Sequence, residues 1–190
     1  VPGGGSVAAL NAAIASALAA MVAGLTIGKK GYEDTGEIMK HIQTLALTQK
    51  TGFVVDIDRD SEAYNKVFDC FKLPKSTDEE KKIRSAAIQE ATKFAALVPM
   101  QVARNAYELM GIIADVAKMG NRNAVTDACV AMISARSAVL AALMNVRINL
   151  GSLKDRTFVE QLQSEADELE RKACIKEKEL LDAINQDLRI

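Results

Sequence analysis

Residues 7–27 read VAALNAAIASALAAMVAGLTI, a stretch without a single charge. Its length is about that of a helical membrane span. Nine of its residues are Ala, however, and Asn11, Ser16 and Thr26 interrupt it, so the hydrophobic drive per residue is weak. Ala8, Ala12, Ser16, Ala20 and Gly24 recur every fourth residue as a ridge of small side chains. Leu10, Ile14, Leu18, Val22 and Leu25 form a bulky ridge beside it. Two such ridges describe a helix buried on all sides in a helical bundle, and this reading is preferred over a membrane span.

The rest of the chain follows the same lead. It has 190 residues, no Trp, three Tyr and five Phe, with only three prolines to interrupt long apolar-periodic runs. The expected class is all-α: a bundle of long Ala-rich helices in a single domain over 1–190, residues 157–190 forming an amphipathic C-terminal arm packed on it. Six helical segments are expected. The first covers 6–28 with Ser6 as N-cap, and the second runs from near Gly36 toward Lys72, with Gly52 as a possible kink. Pro74 ends it, and Ser76 with Glu79, or Thr77 with Glu80, makes a capping box for the third. Pro99 fits the first turn of a fourth, which Gly120 closes at the C′ position. The fifth spans 124–150, with Ala128, Ala131, Ala135, Ala138, Ala142, Asn145 and Asn149 on one face and Arg136 and Arg147 on another. The last spans 157–188. No strand-like alternation appears, which disfavours a βαβ nucleotide fold.

A formal net charge of −1 gives no global attraction to nucleic acid or an anionic membrane, and neither is expected as a partner. Cys70, Cys129 and Cys174 lack metal-ligand spacing and His41 is the one imidazole, so the thiols read as reduced and no metal site is expected. A chain opening on Val1 rather than Met is expected to have residues upstream. Nothing else points to secretion, and a cytoplasmic location is expected.

Several polar groups stand out against this apolar background. Gly3, Gly4, Gly5 and Ser6 precede the first helix; neither a Rossmann nor a P-loop pattern surrounds them. They form either a flexible lead or a place where helix N–H groups meet an anion or carbonyl. Lys29 and Lys30 complement the dipole at the end of that helix, or hold an anionic ligand. Asp56, Asp58, Asp60 and Glu62 crowd two turns; they are either a solvated acidic face or carboxylates poised for proton transfer. Asn121, Asn123, Thr126 and Asp127 exceed what one helix cap requires. Asn145 and Asn149, on a small-residue face, need partners.

Taken in order, PGGGSVAA, LTIGKKGY, the Asp-rich run ending in EAY, LPKSTDEEKKIR with AIQEA, GNRNAVTDA and NVRINL resemble the cyclodeaminase domain of formimidoyltransferase-cyclodeaminase. Stand-alone methenyltetrahydrofolate cyclohydrolases carry the same series. The resemblance covers residues 1–157. It implies an all-helical homodimer acting on a tetrahydrofolate derivative, polyglutamylated or not, without a cofactor beyond that substrate. Of the two reactions it ranks first the closure of N5-formimidoyl- to 5,10-methenyl-tetrahydrofolate with loss of ammonia, and second the conversion of 5,10-methenyl- to 10-formyl-tetrahydrofolate. It nominates Asp58, Asp60, Asp127 and Lys30 for catalysis. For substrate binding it nominates Gly3, Gly4, Gly5, Ser6, Lys29, Asn121, Asn145 and Asn149. A non-catalytic helical interaction module is the rival. Convergence of residues 3–6, 56–62, 121–127 and 145–149 in the fold separates the two.

Overall fold

The computed structural model describes residues 3–188; Pro2 of the glycine block and the last two positions of the C-terminal arm lie outside the described residues. Five α-helices follow one another: α1 (Gly4–Gly24), α2 (Gly36–Phe71), α3 (Asp78–Met119), α4 (Val125–Leu150) and α5 (Arg156–Leu188). Short 3₁₀ turns at Glu33–Thr35 and Arg122–Ala124 precede α2 and α4. There is no strand among the described residues.

The third and fourth segments expected from the sequence are one helix. Pro99 sits inside α3, buried, instead of opening a new helix. A proline at that point lacks the N–H that would bond to the carbonyl four residues earlier, which is Ala95. Asn149 of α4 fills the vacancy: its Nδ2 donates to the Ala95 carbonyl at 3.0 Å. A residue far along the chain thus repairs the break that local sequence predicts.

The helix ends differ from expectation in two further places. α1 begins at Gly4 with Gly3 in the cap position and no side-chain cap bond, so Ser6 lies inside the first turn. Gly120 follows α3 in an extended conformation (φ −84°) rather than a left-handed one. What requires glycine there is space, because a Cβ would lie 2.4 Å from the Val116 carbonyl oxygen. The capping box of α3 is present, and of the two pairs considered it is Thr77 with Glu80 that forms it. α2 continues through Gly52 unbroken.

α1 is flanked by α2 and α4 and rests on α3, and it runs antiparallel to both flanking helices. Ser6 near its start meets Ile57 in the second half of α2, while Gln43 near the start of α2 donates to the Ala20 carbonyl. Gly4 lies against Asn145 near the end of α4, and Asn121, just before α4, bonds to Leu25 and Thr26. Ala8, Ala12, Ser16 and Ala20 are buried, so neighbouring backbones approach closely and gain many small dispersion contacts. The bulky ridge does not follow them inward. Leu10, Ile14 and Leu25 are exposed and Val22 alone is fully buried, so α1 is not enclosed on all sides. By length and composition α1 and Arg122–Leu150 could each cross a membrane; here each has about half of its most apolar window buried against other helices.

The larger core side chains come mostly from α3, with Met100, Leu109, Met110 and Ile113 fully buried beside Phe53 of α2 and Met132 and Leu143 of α4. α5 buries Leu162, Ala166 and Ala173 against this core. Ion pairs fix it along its length: Arg104 of α3 grips Glu165 through two bonds of 2.6 and 2.7 Å, Arg136 meets Glu177, and Arg147 meets Asp167 and Glu170.

Candidate active site at one end of α1

The start of α1 opens into a cleft of about 600 Å³ whose wall includes Gly3, Gly4, Asp60, Tyr64, Asn145 and Asn149. Close approach explains Gly4 and Gly5. A Cβ on Gly5 would stand 2.0 Å from Asp60 Oδ1, and one on Gly4 would stand 2.9 Å from Asn145 Nδ2. Only a residue without a side chain lets Asp60 sit over the first turn of α1. The Ser6 hydroxyl lies 3.0 Å from both Asp60 Oδ2 and the Ile57 carbonyl and, with one proton, donates to either. The first N–H groups of a helix have no partners within it, and the helix dipole favours negative charge there. Asp60 lies over this turn and is held there by the Ser6 hydroxyl.

Two amides face this carboxylate from α4. Asn145 Nδ2 donates to the Ala141 carbonyl at 2.8 Å, and Asn149 Nδ2 donates to the carbonyls of Asn145 and Ala95. Both donors of Asn149 and one of Asn145 are committed to backbone, which orients both amides. Asn145 Oδ1 faces Gly4 at the cleft.

The other nominated residues are elsewhere. Asp58, two positions from Asp60 and so about 200° around α2, is exposed on the far side. Lys29, Lys30, Asn121 and Asp127 lie at the opposite end of α1, roughly 30 Å away by the helical rise. There Lys29 Nζ donates to Asn121 Oδ1 at 2.8 Å, Asn121 Nδ2 donates to the Leu25 carbonyl, and the Asn121 N–H donates to Thr26 Oγ1. Arg122 N–H donates to the Tyr32 hydroxyl at 3.0 Å. Lys30 is exposed and Asp127 half-buried in the first turn of α4. A second cleft, of about 700 Å³, opens at this end between α3 and α5, beside Tyr32, Lys118, Arg122 and Lys176. It is the larger of the two, but none of the nominated residues lines it. Three of the four polar patches therefore converge, and residues 121–127 do not join them within one chain.

Asp56 is the polar residue whose place the sequence left undetermined. It is buried one turn before Asp60, with Arg59 Nη1 3.6 Å from its Oδ1. Burial pushes its carboxyl above the ordinary aspartate range, and Arg59 pulls the other way. The i, i+4 spacing already put Asp56 and Asp60 on one face. No group of three or more metal-ligating side chains occurs among the described residues.

The order of these elements is matched by a family model. The model for formiminotransferase-cyclodeaminase covers residues 1–168. The chain belongs to this family. Among its relatives is the methenyltetrahydrofolate cyclohydrolase of Methylorubrum extorquens, 41% identical over 88% of this chain and 81% of that protein. The formimidoyltransferase-cyclodeaminase of Mus musculus is 33% identical over 84% of this chain; the match spans 30% of that longer protein. The crystal structure of formiminotetrahydrofolate cyclodeaminase from Thermotoga maritima superimposes with a TM-score of 0.81 at 32% identity, over 96% of this chain and 89% of that one. The protein is an enzyme of this family, which sets aside the rival reading of a purely structural module.

Proposed function

We propose that the enzyme hydrolyses 5,10-methenyl-tetrahydrofolate to 10-formyl-tetrahydrofolate in the cleft at the start of α1. The observation that carries the chemistry is Asp60, an acceptor seated over the first turn of α1 and flanked by two oriented amides. Asp60 takes a proton from water as its oxygen bonds to the carbon bridging N5 and N10. The carbon–N5 bond then breaks as Asp60 returns its proton to N5, and loss of the hydroxyl proton leaves the formyl carbonyl on N10. Since the methenyl compound is a cation and the product is not, one proton goes to solvent per turnover. Asn145 and Asn149 orient the pterin or the one-carbon group. The glycine backbone keeps the floor of the cleft free of side chains.

The resemblance by itself ranked ammonia release first. The hydrolase reading is favoured here because identity to the cyclohydrolase relative, 41%, exceeds the 33% and 32% to the cyclodeaminases. The deaminase remains the second reading, supported by the Thermotoga fold match. In it Asp60 takes the N10 proton as N10 attacks the formimidoyl carbon, and ammonia departs with a proton from a general acid. In either case we place the enzyme in the cytoplasm as a homodimer, with Lys29 and Lys30 holding the glutamate tail or acting in proton transfer. Asp58 and Asp127 are then supporting carboxylates outside the cleft of one chain.

Absorbance of the methenyl chromophore tests this directly. Purified protein should consume 5,10-methenyl-tetrahydrofolate well above the uncatalysed rate. Formation of the same chromophore from the formimidoyl compound, with ammonia, would establish the deaminase instead. Inactivity on both would sink the folate assignment.

A further inference from the structure

Beyond Asp60, α2 brings an aromatic column to the same cleft. Asp60, Tyr64, Phe68 and Lys72 recur every fourth residue and so form one ridge of the helix. The Tyr64 and Phe68 rings are nearly parallel, inclined by 12°, with centroids 6.4 Å apart. Lys72 Nζ lies over the Phe68 ring, 4.6 Å from its centroid, and caps the far end of the column. The near end is the Tyr64 ring, which is 63% exposed and lines the cleft.

Helix order gives the cleft two levels. α1 runs antiparallel to both α2 and α4, so α2 and α4 run parallel to each other. The lower level holds Asp60 and Asn145, which lie against Gly5 and Gly4. One turn further, roughly 6 Å by the helical rise, Tyr64 on α2 is level with Ile148 and Asn149 on α4. Both donors of Asn149 are spent on backbone there, and Ile148 is 75% exposed. The upper level therefore offers a ligand mainly apolar surface, one wall of it a flat aromatic face.

The two sides of the bridging carbon in a tetrahydrofolate differ in the same sense. N5 belongs to the pterin, whose edges are hydrogen-bonding groups. N10 carries the p-aminobenzoyl ring, whose faces are apolar. Two C–N bonds and a ring radius separate the bridging carbon from the centre of that ring, less than the one-turn spacing between Asp60 and Tyr64. The carbon beside Asp60 and the ring at Tyr64 can thus be held at once. Resting on the folate reading above, we infer that Tyr64, backed by Phe68, is the platform on which the p-aminobenzoyl ring of the substrate stacks. Offset stacking of this kind is favourable beyond the area it buries. It turns N10 toward Tyr64 and directs the pterin to the lower level, toward Asn145 and the glycine backbone. The orientation serves either reaction, because both substrates carry the ring on N10. Tyr64 binds and orients; it moves no proton.

Two measurements on the full chain test this. Tyr64→Ala should raise KM for 5,10-methenyl-tetrahydrofolate roughly 5- to 100-fold, the usual worth of one stacked ring. Its kcat should fall far less, and its melting temperature should hold. Tyr64→Phe keeps the ring and should keep KM. An unchanged KM in the alanine variant, or an equal rise in the phenylalanine variant, overturns the inference. The second measurement needs no turnover: nuclear Overhauser transfer in the complex with 5-formyl-tetrahydrofolate, a stable analogue. Magnetisation should pass from the Tyr64 ring, identified by its loss in Tyr64→Phe, to the aryl protons of the ligand. Transfer to the C7 protons of the pterin would seat the wrong end of the substrate on Tyr64 and overturn the inference, as would no transfer from Tyr64. A wild type that turns over neither folate yet shows the Tyr64–aryl transfer would refute the reaction while leaving the platform standing.

Discussion

The two ends of α1 carry the same kinds of residue put to different use. At the finish, Asn121 spends its N–H, its Nδ2 and its Oδ1 on Thr26, Leu25, Lys29 and Asn123, and Tyr32 receives the Arg122 N–H. That is a clamp between two loops, with Asn121 at its centre. At the start, Asp60 is held from one side by Ser6, and both donors of Asn149 and one of Asn145 are spent on backbone. The remaining acceptor capacity lies along a cleft. Polar residues crowded at a helix end therefore do not by themselves mark a site; unspent hydrogen-bonding capacity beside open volume does.

The largest effect expected from breaking this contrast is on chemistry. Asp60→Asn should lower turnover by roughly 10²- to 10⁴-fold, the usual worth of a general base, while the melting temperature moves little. A comparable loss of stability would mean that Asp60 serves the fold. Gly5→Ala comes next. A Cβ 2.0 Å from Asp60 Oδ1 must displace either the carboxylate or α1, so turnover should fall sharply and stability by about 1–3 kcal/mol, as for overpacking. Gly3→Ala meets nothing within 4 Å and is its control.

At the clamp the order of effects reverses. Asn121→Ala strips a buried set of bonds and should cost about 1–3 kcal/mol in denaturant unfolding. Asn149→Leu bridges the two classes, because it frees the Ala95 carbonyl that Pro99 cannot satisfy. A cost of similar size is expected, and Pro99→Ala in the same chain should recover part of it. Absence of that coupling would disprove the repair.

The smallest effect concerns Asp56. Its folded carboxyl binds a proton more tightly than the unfolded one, so the native state holds more protons in the window above the ordinary aspartate value. Stability therefore falls as pH rises through that window and stays lower beyond it. Asp56→Asn should abolish this slope and gain under about 1 kcal/mol at neutral pH. Unfolding titrations from pH 4 to 7 would show an unchanged slope if Arg59 fully offsets the burial.

Family resemblance nominated Gly4, Asp60, Asn145 and Asn149; the sequence by itself determined the helical class, the stop at Pro74 and a capping box at either Ser76 or Thr77. These depend on local spacing: side chains three and four apart share a helix face whatever surrounds them. Only the tertiary structure decided that α3 passes unbroken through Pro99, because the missing bond is supplied by a residue of another helix. It also decided that Asp56 turns inward and Asp58 outward, since a run of acids on one helix does not say which neighbour it meets. And it decided that the bulky ridge of α1 faces away from the core: small residues admit neighbouring backbones, so the Ala side packed inward and left the larger apolar side chains for a surface that the chain alone does not cover.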